Sequence, residues 1–400
     1  MSDVTNIPAN WASNTLINIA DYHNGGAFKP KDWIEDGLPI IRIEQLNKAN
    51  AETDKYGGAL LPNNFIDTGD LIFSWSATLK VVIWNRGPGA LNQHLYKVVP
   101  KPGISRLMLL HILDFNMSKL AGQSQGSTMK HVTRKELSRF KVVYPKRESE
   151  QQIVATILGT IDQTIEKTEA LIEKYQQIKA GLMHDLFTRG IAADGKLRPP
   201  REHAPELYQQ TPIGWIPKEW EDKTLVELVH FQRGHDIVEA DFVEGVYPVI
   251  SSGGVIGFHN QFTSQGPSVV MGRKGTIGKV HYVDSDYWAH DTSLFSTNLF
   301  DNEPWFVYYL CIYMDLAKYG TKSGSPSLNR NDVHPLPVGK PSPDEQKKIV
   351  LRLKACDTRI DSLSCDQNKL RSLKFGLMHD LLTGKVQVKL DSKTSEMAGV

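Results

Sequence analysis

The sequence predicts an α+β protein written twice: two β-rich domains, each followed by one long helix, in a pseudo-twofold tandem repeat. Three observations predict it. Residues 174–188 read KYQQIKAGLMHDLFT and residues 369–383 read KLRSLKFGLMHDLLT, so nine of 15 positions match without gaps at an offset of 195. Each motif ends a stretch of about 40 residues with apolar positions at steps of three, four or seven, the narrow stripe of a paired helix. The stretches ahead of these helices carry short β-rich runs cut by Gly, Pro, Asn and Asp.

Taken in order, each half opens on the same motif. Ile7-Pro8-x-x-Trp11, Thr15-Leu16 and Gly25 recur as Ile216-Pro217-x-x-Trp220, Thr224-Leu225 and Gly234, at an offset of 209. Strand-like runs follow at Leu71–Trp75 and Val81–Trp84, then at Val246–Ile250, Ser268–Met271 and Lys279–Val283. Leu107–Leu120 and Trp305–Tyr319 read as single helices at corresponding places. Each precedes a small polar loop, Ala121–Thr128 (AGQSQGST) and Gly320–Ser327 (GTKSGSPS). The first long stripe runs through Ile153, Ile157, Ile161, Ile165, Ile172, Tyr175, Ile178, Leu182 and Leu186. The second runs through Ile349, Leu353, Cys356, Ile360, Leu363, Leu370, Leu373, Leu377 and Leu381, with Gln367 in its seam. Forty helical residues make a rod of about 60 Å. A narrow stripe needs a partner, and the nearest partner for each rod is the other. Gly190 and Gly384 fall where the rods should stop. Residues 191–211 (IAADGKLRPPREHAPELYQQT) carry three prolines and no apolar period, a linker or surface connection. The divisions are therefore 1–147, 148–190, 191–211, 212–343 and 344–389, with a polar tail after Leu390 expected to fray.

Composition narrows the class. Hydrophobic residues make up 40% of 400, with 31 glycines, a globular balance. The longest apolar run, Trp305–Met314, is far short of the roughly 18 residues of a membrane span. The N-terminus has neither basic start nor apolar core, so no secretory signal is expected. Cys311, Cys356 and Cys365 cannot build a disulfide framework or a four-ligand zinc site. A soluble, cytoplasmic protein follows as the expectation. Net charge is +1, but it is unevenly spread. Residues 1–147 hold 18 Lys and Arg against 12 Asp and Glu; residues 212–343 hold 10 against 15. The run Lys130–Arg147 has seven cations and one Glu, which is either a solvated helix face or a footprint for phosphates.

Catalytic machinery is not found. Gly272–Lys279 (GRKGTIGK) has Arg273 and Val280 where a nucleotide-binding P-loop needs Gly and Ser or Thr. It reads either as a turn bringing amides and cations toward a phosphate or as a plain strand connection. Pro343–Lys347 (PDEQK) resembles a nuclease cluster, but consecutive carboxylates at a helix start read as a cap on the helix dipole; Glu150 sits at the matching place. No Asn/Asp-Pro-Pro-aromatic loop, paired Cys, HExxH or nucleophile elbow appears. His184 and His379 are one per rod and form no ligand cluster.

Together, the twin GLMHDLFT and GLMHDLLT segments, the Glu-Gln starts of the rods, the IPxxW openings and the GRKGTIG turn resemble the specificity subunit of Type I restriction–modification enzymes. The resemblance covers about 380 of the 400 residues. The first middle departs from it, with Phe73–Val82 (FSWSATLKVV) near the place of GRKGTIG. The resemblance implies that each middle is a target recognition domain reading half of a split, asymmetric DNA sequence. It implies that the rods pair as an antiparallel coiled coil that sets the gap. Two methyltransferase subunits, carrying S-adenosylmethionine, and ATP-dependent restriction subunits would dock, with Mg²⁺, S-adenosylmethionine and ATP on those partners and none in this chain. Phosphate contacts are expected from Lys130, Arg134, Lys135, Arg139, Arg273, Lys274, Lys279 and Lys322. Base contacts are expected from Gln123, Ser124, Gln125, Ser323, Asn329 and Arg330. The competing readings are a coiled-coil adaptor that binds only protein, and a fused DNA-modifying enzyme.

Overall fold

The computed structural model describes residues 7–48, 50–76, 78–122, 132–321 and 326–389. The chain forms two compact units, residues 1–169 with 365–400, and residues 170–364. Each unit therefore contains one β-rich middle, part of its own long helix and part of the other.

The first unit is closed by Trp11–Thr15 pairing antiparallel with Lys141–Pro145. Its main sheet has the order Ala20–Asn24, Leu95–Pro100, Leu71–Ser74, Lys80–Ile83. A smaller sheet places Leu38–Ile41 parallel to Gly89–Leu91. Helix α1, Arg106–Gly122, buries Met108, Leu109, Ile112 and Leu113 against Leu71, Phe73, Tyr96 and Val98 of the main sheet. Helix α2, Glu148–Thr188, adds Val154 and Leu158 to this core.

The second unit repeats the plan. Glu221–Thr224 pairs with Pro337–Lys340. The main sheet has the order His230–Arg233, Ser293–Asn298, Ser268–Gly272, Val280–Val283. Tyr247–Ser251 runs parallel to Trp288–Ala289 in the smaller sheet. Helix α3, Pro304–Tyr313, packs on Val269 and Met271, and helix α4, Pro343–Leu382, adds Ile349 and Leu353. Strand order and pairing sense match between the units although the two middles share little sequence. The expected single helix over Trp305–Tyr319 is instead broken: Asp315 takes a left-handed conformation, φ 46°, and Leu316–Tyr319 is a tighter 3₁₀ turn. That turn sits directly on Gly278, where a Cβ would lie 2.6 Å from the Ala317 side chain.

The repeated motifs prove to be docking points. Pro8 and Pro217 accept from the Trp11 and Trp220 amides, so the two IPxxW segments make the same turn and bury the indole. Met378 and Leu381 of the second GLMHDL segment join the first unit's core. Met183 and Leu186 of the first join the second unit's core. Gly384, φ 76°, abuts Pro8 and Trp11, whereas Gly190, φ 64°, abuts Trp220. At either position a side chain would collide with the packed IPxxW turn.

The Glu-Gln pair at each helix start is also buried, and it ties down neighbouring segments as well as lying at the helix start. Gln151 accepts from the Ser105 amide (2.8 Å) and donates to the carbonyls of Gly103 and Pro145. Gln346 accepts from the Glu303 amide (2.9 Å) and donates to Asn302 and the Pro341 carbonyl. Each glutamine thus fixes the start of the adjoining α1 or α3. Glu150 accepts from the Trp11 indole (3.0 Å) and Asn10 (2.9 Å). Glu345 instead takes both ends of the Arg198 guanidinium (2.6 and 3.0 Å) and the Ile191 amide (2.7 Å). Arg198 and Glu345 are 4% and 8% exposed. Residues 191–211 are therefore not a bare linker: Ile191, Arg198, Ala204 and Tyr208 are buried, and polar ties to Glu345 act together with the packing of Ile191 into the second unit's core.

Within each unit the long helices touch through equivalent residues. Lys374 of α4 bonds Asp162 of α2 (2.7 Å) and Asp114 of α1 (2.8 Å) in the first unit. In the second, Lys179 of α2 bonds Asp357 of α4 (2.5 Å), which also accepts from the Tyr309 hydroxyl (2.6 Å). Asp162 and Asp357, and Lys179 and Lys374, are each 195 positions apart. Burial works against the Lys374 charge, but its hydrogen bonds to the two aspartates override this and hold its pKa above the usual lysine value. Among the described residues, no helix is long and apolar enough to cross a membrane.

Candidate nucleic-acid interface

The basic turn Arg273–Lys279 joins Ser268–Gly272 to Val280–Val283 at one end of the second unit's main sheet. Its conformation is fixed by backbone bonds: Gly278 donates to the Gly272 carbonyl (2.9 Å) and Gly272 to the Lys279 carbonyl (2.8 Å). Arg273 and Lys274 both donate backbone amides to the Thr292 carbonyl (2.8 and 3.1 Å). The turn after the polar loop returns to the same place, because the Leu328 amide donates to the Arg273 carbonyl (2.8 Å). Arg273, Lys274, Lys279, Asn329 and Arg330 are therefore gathered at one sheet end. Lys279 is partly committed, donating to the Gly253 carbonyl (2.9 Å). Asn329 caps the short helix Arg330–Val333 by accepting from the Asn331 amide (3.0 Å), so its carboxamide oxygen is partly committed to the backbone. His334, beside this helix, accepts from the Phe231 amide (3.0 Å). Burial, then the nearby His230 and Arg330, depress its pKa below the usual histidine value.

The first unit has the same frame. The connection at 75–79 joins Leu71–Ser74 to Lys80–Ile83, and the Val132 amide donates to the Trp75 carbonyl (2.8 Å), as Leu328 does to Arg273. FSWSATLKVV thus occupies the topological place of GRKGTIGK with one cation instead of three. Arg134, Lys135 and Arg139 lie exposed on Arg134–Arg139, a helix closed by a Thr133–Glu136 capping box. Arg134 turns back to donate to the Tyr22 carbonyl (2.8 Å). Gln123, Ser124, Gln125, Lys130, Lys322 and Ser323 lie outside the described residues, as does the polar tail from Leu390 onward.

Asn24 and Arg233 at this sheet end were not singled out from sequence, although the repeated glycine after each of them was. The Gly25 amide donates to Leu95 and the Gly234 amide to Ser293, each 3.1 Å. A Cβ at Gly25 would lie 2.1 Å from the Leu91 carbonyl oxygen, and one at Gly234 2.2 Å from that of His290. The repeated glycine therefore marks a close approach of two backbones, and its neighbours Asn24 and Arg233 sit at equivalent edges. That glycine was the available signal.

A family model described as the Type I restriction modification DNA specificity domain matches residues 8–177 and again 217–371. The chain belongs to this family. Both matched stretches of the specificity chain start within an IPxxW turn and end inside a long helix. It is 24% identical over 426 residues to the Type I restriction enzyme MjaVIII specificity subunit of Methanocaldococcus jannaschii, covering 96% of this chain and 94% of that protein. Its fold resembles the crystal structure of the Type I restriction–modification S subunit from M. genitalium, with a TM-score of 0.61 at 16% identity, covering 96% and 98% of the two chains. A chain from a structure of complex assembly and conformational transition in a type I R-M system matches with a TM-score of 0.56 at 13% identity, covering 95% and 100%.

Proposed function

We propose that this specificity chain reads a bipartite, asymmetric DNA site and catalyses nothing itself. One observation carries the reading: the same sheet end is built twice, with different side chains on it. Residues 1–147 and 212–343 serve as the two recognition domains, and the helices within 148–190 and 344–389 pair as an antiparallel coiled coil that sets the gap. Residues 191–211 connect the halves. In the first unit the contact Asp162 to Lys374 precedes Glu169 to Arg371, so residue numbers run in opposite directions along the pair. Tyr175 to Arg359 and Lys179 to Asp357 run the same way in the second, which supports the antiparallel arrangement.

Cations at the sheet ends contact phosphates and position each domain; polar side chains there reach base edges in the major groove. The chain docks two methyltransferase subunits and the ATP-dependent restriction subunits, which carry S-adenosylmethionine, ATP and Mg²⁺. The test is footprinting of the complex with its methyltransferase partner, combined with mapping of methylated adenines. The expected result is two protected patches separated by an unspecified gap. A single continuous patch, or methylation independent of this chain, would overturn the reading.

A further inference from the structure

The second unit is acidic overall, yet the edge of its sheet presents one arginine in a fixed orientation. Arg233 ends the strand His230–Arg233, and its Nη2 donates to Asp291 Oδ2 at 3.0 Å. The guanidinium side chain is 55% exposed, whereas Asp291 is 17% exposed. The carboxylate belongs to a rigid turn. His290 Nε2 donates to the Ile237 carbonyl (3.2 Å), leaving Nδ1 to accept from the Thr292 amide (3.2 Å). Thr292 in turn holds the amides of Arg273 and Lys274 through its carbonyl and that of Ser252 through its hydroxyl. A pair this open to water contributes little to folding. What the arrangement achieves is orientation: one edge of the guanidinium is held and the rest of its donor fork faces outward, on the sheet end that carries the basic turn.

The first unit has different chemistry at the same two positions. The bridges Gly26 to Asn92 and His235 to His290 are equivalent, as are the Gly25 and Gly234 bonds. The counterpart of Arg233 is therefore Asn24, and that of Asp291 is Gln93, both exposed. A guanidinium offers only donors, in a fork that matches the O6 and N7 acceptors of guanine. A carboxamide both donates and accepts, which matches N6 and N7 of adenine. We infer that this edge position is a specificity determinant: Arg233, oriented by Asp291, reads a guanine in the half-site of the second unit, and Asn24 with Gln93 reads an adenine in the other half-site. Asp291 acts as a positioning residue through Arg233.

This inference rests on the DNA-reading function proposed above, and the experiment separates the two. Arg233→Ala, Arg233→Lys, Asp291→Asn and Lys274→Ala are each assembled with the methyltransferase partner. Binding is measured on duplexes carrying every single-base change in the methylated motif, over a range of salt. For Arg233→Ala, discrimination at one G·C pair of one half-site should fall roughly 5- to 150-fold, the equivalent of 1–3 kcal/mol. The other half-site and the salt dependence should be unchanged. Arg233→Lys should not restore discrimination, because an ammonium has no fork; Asp291→Asn should lose part of it. Asn24→Arg with Gln93→Asp should create a guanine preference in the other half-site. If Arg233→Ala weakens all sequences alike and lowers the salt slope, Arg233 is a phosphate contact and the inference fails. It fails equally if Arg233→Ala changes nothing. Absence of any site preference in the unsubstituted complex would instead refute the DNA-reading function itself.

Discussion

His111 of α1 is 2% exposed, and neither ring nitrogen makes a hydrogen bond of ordinary geometry. Burial lowers its pKa, and Lys374 lowers it further, against the pull of Asp162, 3.9 Å away, and Asp114. The folded protein therefore keeps this imidazole neutral at a pH where the unfolded chain, near 6.5, has begun to protonate. Above that pH neither state binds the proton, and His111 adds no pH dependence. Below it the unfolded state binds more protons than the folded one, so stability is lost as pH falls, by at most about 1.4 kcal/mol per pH unit from this residue. Denaturant unfolding of His111→Leu and the unsubstituted chain between pH 7.5 and 5.5 should give a flatter profile for the variant. Parallel profiles would show that His111 does not titrate differently on folding. No sequence pattern points to this residue. Its counterpart, Tyr309, finds a partner in Asp357, and only the fold reveals that the two positions correspond.

Elements were legible where a pattern is local and hidden where it is a matter of contact. The long helices, their glycine stops and the strands around Arg273–Lys279 follow from periodicity and turn residues. The shared architecture of the two middles does not, because different side chains fill the same frame. In the second unit Tyr282 stacks on Trp305 with centroids 3.8 Å apart, and Lys354 lies 4.1 Å from the Trp305 ring. The first unit has Ile83, Leu107 and Gly159 at these places, lining a cavity of about 1000 Å³. No alignment of residue types joins an aromatic stack to an open space. The hairpin turn gives a prediction at this scale. Arg273→Ala with Lys274→Ala leaves intact the backbone bonds to Thr292 and Leu328 that shape the turn. If both side chains meet phosphates, DNA binding should weaken for all sequences alike, and the slope of log affinity against log salt should become shallower by about 0.9 per lost contact. Titrations at several salt concentrations, with circular dichroism to verify folding, check this. Unchanged affinity and slope would reduce the turn to a strand connection.

At the scale of the whole chain, the repeat made the organisation readable. A motif found at the end of both long helices needs an equivalent receiver twice, and the IPxxW turns supply it. The sequence did not reveal that each receiver takes the end of the helix from the other half, since that depends on which ends meet. Each long helix contributes to both units, and under the proposed function its length sets the gap between the half-sites. Consider four residues inserted in α2 after Ile165, between the Asp162–Lys374 contact and the Lys179–Asp357 contact. The helix grows by about 6 Å and turns slightly more than one full revolution, which keeps the apolar face near its partner with a local stutter in the seam. Six ångströms is somewhat under two base pairs at about 3.4 Å each. Neither sheet end is altered, so both half-sequences should stay the same while the unspecified gap lengthens by one or two base pairs. Methylation mapping of the variant, expressed with its methyltransferase partner, reads both quantities at once. Changed half-sequences with an unchanged gap would show that the helices are not the spacer.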